Sequence, residues 1–336
     1  MNSHKEHEHV QRTSLHRIFS KQMSSDDPTY LNACELKKHC YNGFSDVLLR
    51  PMYWKVFLDH YSRNKFRSEL FSRKRRELYE AYAAKICHNG KSMHKHYELI
   101  ENDVKRTFVR PRVHRVNAQS YTRSCDFLDA QSLDPGINHR SAIKRILMCY
   151  SIANSSIRYV QGMNFVVSVV YYVMSASNDT GSRRDIEPDT FFCFNSLMAE
   201  IGDNFTEDLD LNNAGISYRI HKVAIILKMA DSELYSAMES KGLSDCVFCM
   251  RWILVMFASC FEIDDVVWLW DRLLSDASRF DIVLYCCASA IILMRNIIIN
   301  NDFDRCMQVL QDLSAVDVKI MFYMADGLRK KHFENV

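Results

Sequence analysis

The chain has 336 residues and a formal net charge of only +2, with 48% apolar and 25% charged residues, a balance that supports a sizeable globular core. Nine glycines and five prolines leave few tight turns, which disfavours β-sandwiches, β-barrels and the glycine-loop α/β folds that cradle phosphates. An all-α fold is the expectation.

The chain opens on MNSHKEHEHVQRTS, polar throughout, and residues 1–29 read as a disordered tail. Its histidines, His4, His7, His9 and His16, read as part of that tail rather than as a metal site, and no leader peptide is seen. From Leu31 the pattern turns helical. SDVLLRPMYWKVFLDHY places Val47, Met52, Val56 and Phe57 near one stripe, with Ser45 or Asp46 as the N-cap. NKFRSELFSRKRRELYEAYAAKICHNG predicts a long charged helix whose apolar side is Phe66, Leu70, Leu78, Tyr82 and Ile86, stopped at Asn89-Gly90. A short helix, HYELIENDVKRT, leads into a polar stretch over 109–137, a length unusual in a compact domain unless it has a task.

In NHRSAIKRILMCYSIAN, Ile143, Ile146, Leu147 and Tyr150 recur at helical spacing. RYVQGMNFVV then interrupts the helices with Gln161-Gly162 before an apolar run. After a polar linker at 177–188, helices are predicted in DTFFCFNSLMAEI, SYRIHKVAIILKMA, DSELYSAMES, SDCVFCMRWILVMFAS, IDDVVWLWDRLLS, the segment from Asp281, and SAVDVKIMFYMADGLRKKH. No fixed-period repeat is present, which disfavours a solenoid. The apolar runs at 165–174 and from Ile282 are too short, or broken by Arg295 and Asn296, to span a bilayer, and read as buried helices.

Charge is unevenly spread: residues 61–116 hold fifteen Lys/Arg against six Asp/Glu, and residues 185–281 hold seven against eighteen. Either these are ordinary solvated faces, or the first is a basic face for a phosphate-bearing or membrane partner. No aromatic interleaving or groove-reading motif accompanies it, so no nucleic-acid partner is expected. Twelve scattered cysteines and the lack of a leader point to reduced thiols in the cytoplasm. Cys246 and Cys249 form a C-x-x-C inside the apolar DCVFCMRWIL, and zinc needs four ligands, so core packing is the expectation.

No phosphate loop, kinase signature, nucleophile elbow or H-E-x-x-H is present. A protein without a nucleotide cradle or nucleophile can still supply parts of another protein's site, and two stretches suit that role. In IENDVKRT, Asp103 and Arg106 stand three apart on one helical face, so the carboxylate can steady the guanidinium; the alternative is an arginine complementing the helix dipole. In RYVQGMN, an extended backbone would project Tyr159 and Gln161 together, with Val160 inward and Gly162 allowing close approach. A glutamine so mounted can orient water through its amide; the alternative is a plain helix entry.

The two stretches together, with RW at Arg251–Trp252 and WD at Trp270–Asp271, resemble the three signature motifs of the TBC (Tre-2, Bub2, Cdc16) domain, whose typical members are GTPase-activating proteins for Rab-type small GTPases. LLRPMYWKVFL, with Arg50 four residues before Trp54, is similar to that family's entry helix. The resemblance implies a two-lobed helical domain over 30–336, with an N-terminal lobe of about 30–175 carrying both fingers and a C-terminal lobe of about 189–336. It implies that Arg106 is an arginine finger and Gln161 a glutamine finger, both acting in trans on GTP and Mg²⁺ held by a Rab, with no cofactor of the chain's own. Asp103 would orient Arg106, and Tyr159, Gly162 and Asn164 would shape the glutamine loop. Arg251 would pair with an acidic group below the site, and Trp252, Trp268 and Trp270 would belong to the core. A catalytically weak Rab-binding scaffold on the same fold is the alternative. The implied setting is cytoplasmic, with peripheral membrane association through the GTPase. The pattern departs from the family where proline is delayed to Pro111 and where the usual Gly-Ile/Val-Pro is Gly43-Phe44-Ser45.

Overall fold

Local sequence sets some of the helix boundaries, through polar caps and left-handed exits. In the computed structural model, residues 33–43, 47–61, 68–88, 94–108, 127–128, 138–155, 158–176, 183–205 and 215–334 are described. They form fifteen α-helices, short 3₁₀ turns and no strand among the described residues, an all-α fold. In chain order the α-helices are α1 (Ala33–Asn42), α2 (Arg50–Phe57), α3 (Ser68–His88), α4 (His94–Arg106), α5 (His139–Ala153), α6 (Met163–Ser175), α7 (Ile186–Ile201) and α8 (Ile216–Ala230). Then follow α9 (Ser232–Glu239), α10 (Met250–Leu254), α11 (Ile263–Ser275), α12 (Ile282–Leu293), α13 (Arg295–Asn300), α14 (Phe303–Gln311) and α15 (Val318–Glu334). Asn138, Asp231 and Asp302 each accept a backbone N–H at a helix start, from Ser141, Leu234 and Arg305, at 3.2, 2.9 and 2.9 Å.

The most apolar helices lie at the centre. α12 is buried from Ile282 through Ile291 and is flanked by α8 and α15. α6 packs its valines against α7, while α5 lies against α3, α4 and α7. Among the described residues no helix is long and apolar enough to cross a membrane. Cys246 and Cys249 are buried in this core, and no described cysteine is in a disulfide.

α11 ties the beginning of the described chain to its later half. Asp271 on α11 accepts both Arg50 Nε, at 3.0 and 3.1 Å, and the Trp54 indole N–H at 2.8 Å, while Trp54 stacks on Trp270 with centroids 5.9 Å apart. Burial pushes the Asp271 carboxyl up to about 6, against the pull of Arg50. The R-x-x-x-W and W-D motifs therefore meet as a structural clamp. Trp252 and Trp270 are core residues, but Trp268 is only half-buried and carries the Arg272 guanidinium 3.5 Å over its ring.

Four helix expectations change. The helix expected over 45–61 begins with a 3₁₀ turn at Val47–Leu49, ends at Phe57, and exits through Asp59 at φ +51°; Ser45 and Asp46 lie outside the described residues. On α3, Leu70 and Leu78 are exposed, and the inward side is Phe71, Arg75, Tyr79, Tyr82 and Ile86; Phe66, Asn89 and Gly90 lie outside the described residues. Arg75 takes that inward slot by laying its guanidinium over Phe71 and Phe192, at 4.7 and 4.3 Å. The segment 244–259 shortens to a 3₁₀ turn and α10, because Cys246, Met256 and Phe257 have positive φ and the Trp270 indole takes the Met256 carbonyl at 2.9 Å. The helix from Ile282 breaks at Met294, where Arg295 turns to pair with Asp231 at 2.9 Å and with Glu233. α14 is a helix that the apolar pattern did not predict. The tail at 1–29 and most of 109–137 lie outside the described residues.

Candidate functional site

The site starts from one buried charge. Asp103, on the last turn of α4, is 0% exposed, and an isolated carboxylate there would be strongly disfavoured. It is paired on both oxygens. One accepts Arg106 Nη2, and the other accepts the Tyr159 hydroxyl at 2.5 Å. Arg106, three residues on, keeps its side chain 56% exposed while its guanidinium is held from below. Burial, and then the bond to Asp103, pushes the Tyr159 hydroxyl far above its usual range, so it remains a proton donor.

Tyr159 is a short step from Gln161, and the two do not project together as an extended strand would have them. Tyr159 turns inward to Asp103, Val160 is half-buried, and Gln161 is exposed at a turn. The cause is the Gln161-Gly162 turn: Gly162 has φ +108°, which ends the period-two alternation and starts α6. The Gly162 N–H donates to Asn164 Oδ1 at 3.1 Å, and Asn164 Nδ2 donates to Thr107 Oγ1 at 2.8 Å. Thr107 Oγ1 in turn donates to the Asp103 carbonyl at 2.7 Å. Tyr159 also lies 3.3 Å from Asn164 Oδ1, but its single proton goes to the nearer Asp103. Asp103, Arg106, Tyr159, Gly162 and Asn164 are thus one bonded cluster, with Gln161 on its outer edge. Gln161 is exposed, and no hydrogen bond of its amide is present among the described residues.

Arg251 is not in this cluster. It donates to the Gln311 carbonyl at 2.7 Å, instead of to the acidic group expected. The unforeseen α14 ends at Gln311, and a helix C-terminus offers unpaired carbonyls to a cation. Two further residues emerge from the structure. Thr107 links the two stretches, as above. Arg140, from the start of α5, reaches the carbonyls at the end of α4. Thr107 closes the IENDVKRT stretch, but its bond to Asn164 and the carbonyl bonds of Arg140 give no sequence signal, because one partner is distant in the chain and the others are main-chain oxygens. Among the described residues no cluster of side chains suits a metal ion.

The glutamine loop contains two left-handed positions with opposite expected responses. At Gly162, a Cβ would lie 3.1 Å from Val255 Cγ1 and 3.4 Å from Leu254 Cδ2, besides the unfavourable φ. Gly162→Ala is expected to cost about 2 kcal/mol of stability, read as a lower denaturation midpoint. At Arg158, φ is +56° although the residue carries a Cβ. Arg158→Gly is expected to raise stability by about 1 kcal/mol in the same measurement.

Comparison with known proteins places the chain in a family. The family profile for the Rab-GTPase-TBC domain matches residues 48–299. TBC1 domain family member 13 of Mus musculus is 39% identical over 180 residues, covering 54% of this chain and 45% of that protein. GTPase-activating protein GYP1 of Saccharomyces cerevisiae is 25% identical over 276 residues, covering 75% of this chain and 39% of that protein. The chain thus spans less than half the length of these curated relatives. The crystal structure of the Ypt/Rab-GAP domain of Gyp1p has the same fold, with a TM-score of 0.76, 20% identity, and coverage of 97% of this chain and 99% of that one. The Chlamydomonas flagellar RabGAP TBC domain aligns with a TM-score of 0.61 at 15% identity, over 95% of this chain and 90% of that one. With residues 48–299 matched and the fold shared, the chain belongs to the Rab-GTPase-TBC domain family.

Proposed function

We propose that the chain activates GTP hydrolysis by a Rab-type small GTPase, inserting Arg106 and Gln161 into the GTPase's site. One observation carries this reading: an exposed arginine and an exposed glutamine, from separate stretches, are joined beneath the surface by the Asp103–Tyr159 bond. Family membership and the GTPase-activating relative add to it.

GTP hydrolysis leaves little covalent work for protein; it needs an aligned water and compensation of charge on the transferring phosphoryl group. Arg106 supplies the compensation, with a planar fork suited to phosphate oxygens. Asp103 holds one edge of that fork and Tyr159 holds Asp103, which limits the motion lost on docking. Gln161 orients the attacking water through its amide oxygen and can donate through its nitrogen. GTP and Mg²⁺ are held by the GTPase, and any membrane contact in vesicle trafficking comes through that partner. Single-turnover GTP hydrolysis across a panel of GTP-loaded Rabs tests the proposal. Acceleration of at least one Rab is expected; capture of GTP-loaded Rabs with no acceleration of any would replace the activator with a scaffold.

A further inference from the structure

A helix end is its least securely held turn, because its last four carbonyls lack partners within the helix. α4 ends at Arg106, the residue on which the proposed activity depends. Three of them, those of Asp103, Val104 and Lys105, accept side-chain donors. Thr107 and Asn164 donate to that of Asp103, at 2.7 and 3.3 Å. Arg140 Nη1 reaches the carbonyls of Val104 at 2.6 Å, Lys105 at 3.3 Å and Thr107 at 3.4 Å.

Arg140 is badly placed for its own helix. It is the second residue of α5, where a cation meets the positive end of the helix dipole, and no acidic residue in that first turn offsets it. The same charge lies against the negative end of α4, where a cation is favoured. Its position thus suits the end of α4 and not the first turn of α5. Beyond this contact the chain turns at Phe108, whose φ is +57°, so the clamp sits at the point where α4 is left.

We propose that Arg140 is a positioning residue for Arg106: it fixes the terminal turn of α4 so that the Asp103–Arg106 pair presents the guanidinium outward at a set height. This rests on the reading of Arg106 as the finger. A guanidinium displaced by about 1 Å can cost on the order of 10²-fold in rate.

The test uses the whole chain and a Rab that the wild type accelerates. Arg140→Ala is expected to lower the single-turnover rate at saturation on the order of 10²-fold, with the half-saturating concentration unchanged. Arg140→Lys, which keeps the charge and can reach one carbonyl, is expected to recover part of the rate. In an Arg106→Ala background, Arg140→Ala is expected to cause no further loss, since the two residues act as a unit. An equal fold-loss in both backgrounds, or an unchanged rate, would overturn the assignment. Hydrogen exchange without any GTPase gives a separate reading: amides 104–108 should exchange faster in Arg140→Ala, with those of α12 unaffected. Unchanged exchange at 104–108 removes the clamp even where the finger holds. A wild type that accelerates no Rab removes the finger and, with it, the positioning role, even if the exchange of those amides responds.

Discussion

Arg106→Ala is expected to lower Rab-stimulated GTP hydrolysis by on the order of 10³–10⁵, the worth of an arginine supplied in trans to a GTPase. The size of the loss follows from what the side chain does not do. Its side chain is more than half exposed and fills no core space, so its removal leaves packing intact. The complication is Asp103, which loses its cation while remaining buried beside Tyr159. Arg106→Lys separates the two roles. A lysine keeps a positive charge near Asp103, so the fold should be nearly as stable as wild type, yet it lacks the planar fork and should remain poorly active. Phosphate release in single turnover, with thermal midpoints measured alongside, reads both. A lysine variant as fast as wild type would show that charge alone suffices and that the fork is not used.

Gln161→Ala is expected to cost on the order of 10²–10³ in the same rate, the typical loss on removing one preorganised polar group from a transition state. Here stability should not change beyond about 0.5 kcal/mol, because the side chain is exposed and bonds to nothing among the described residues. Gln161→Glu is the sharper variant. It keeps the length and one acceptor oxygen, but it replaces the donor with a charge that phosphate repels, so it should be at least as slow as alanine. If Gln161→Ala hydrolysed GTP at the wild-type rate while Arg106→Ala did not, water would be oriented by the GTPase itself, and the glutamine would serve only the loop.

How far the sequence foretold this arrangement depends on the kind of interaction. Scarce glycine and proline and the periodic apolar residues of α5, α7, α8 and α11 announced an all-α protein, because burial of one helical face is a local, periodic signal. The breaks at Met256 and Met294 were not legible. They are enforced by Trp270 taking a main-chain carbonyl and by Arg295 reaching α9, both distant in sequence. α3 misled for a different reason: Arg75 occupies an inward position that an apolar count assigns elsewhere. At the candidate site, Asp103, Arg106, Tyr159, Gln161 and Gly162 could be named from two short stretches, and Asn164 only through the family resemblance they carry. Their joining through Thr107 could not, since its partner Asn164 lies 57 positions away, nor could the bonds of Arg140, since main-chain oxygens carry no residue identity. The inward turn of Tyr159 was hidden likewise, as it follows from a left-handed glycine two positions beyond Val160.

The Asp271 clamp has a consequence for the order in which this chain matures. Arg50 and its carboxylate partner are 221 positions apart, so on the ribosome the N-terminal segment is made long before its anchor exists. Until α11 is made, Trp54 has neither the ring nor the acceptor that later cover it. Local helices such as α5 can assemble as they emerge and α2 can meet α6 and α7, whereas the packing of α1 on α11 must wait for α11. Docking of α1 on α11 therefore cannot precede the synthesis of α11, and until then the nascent chain exposes the face of Trp54 that Trp270 later covers.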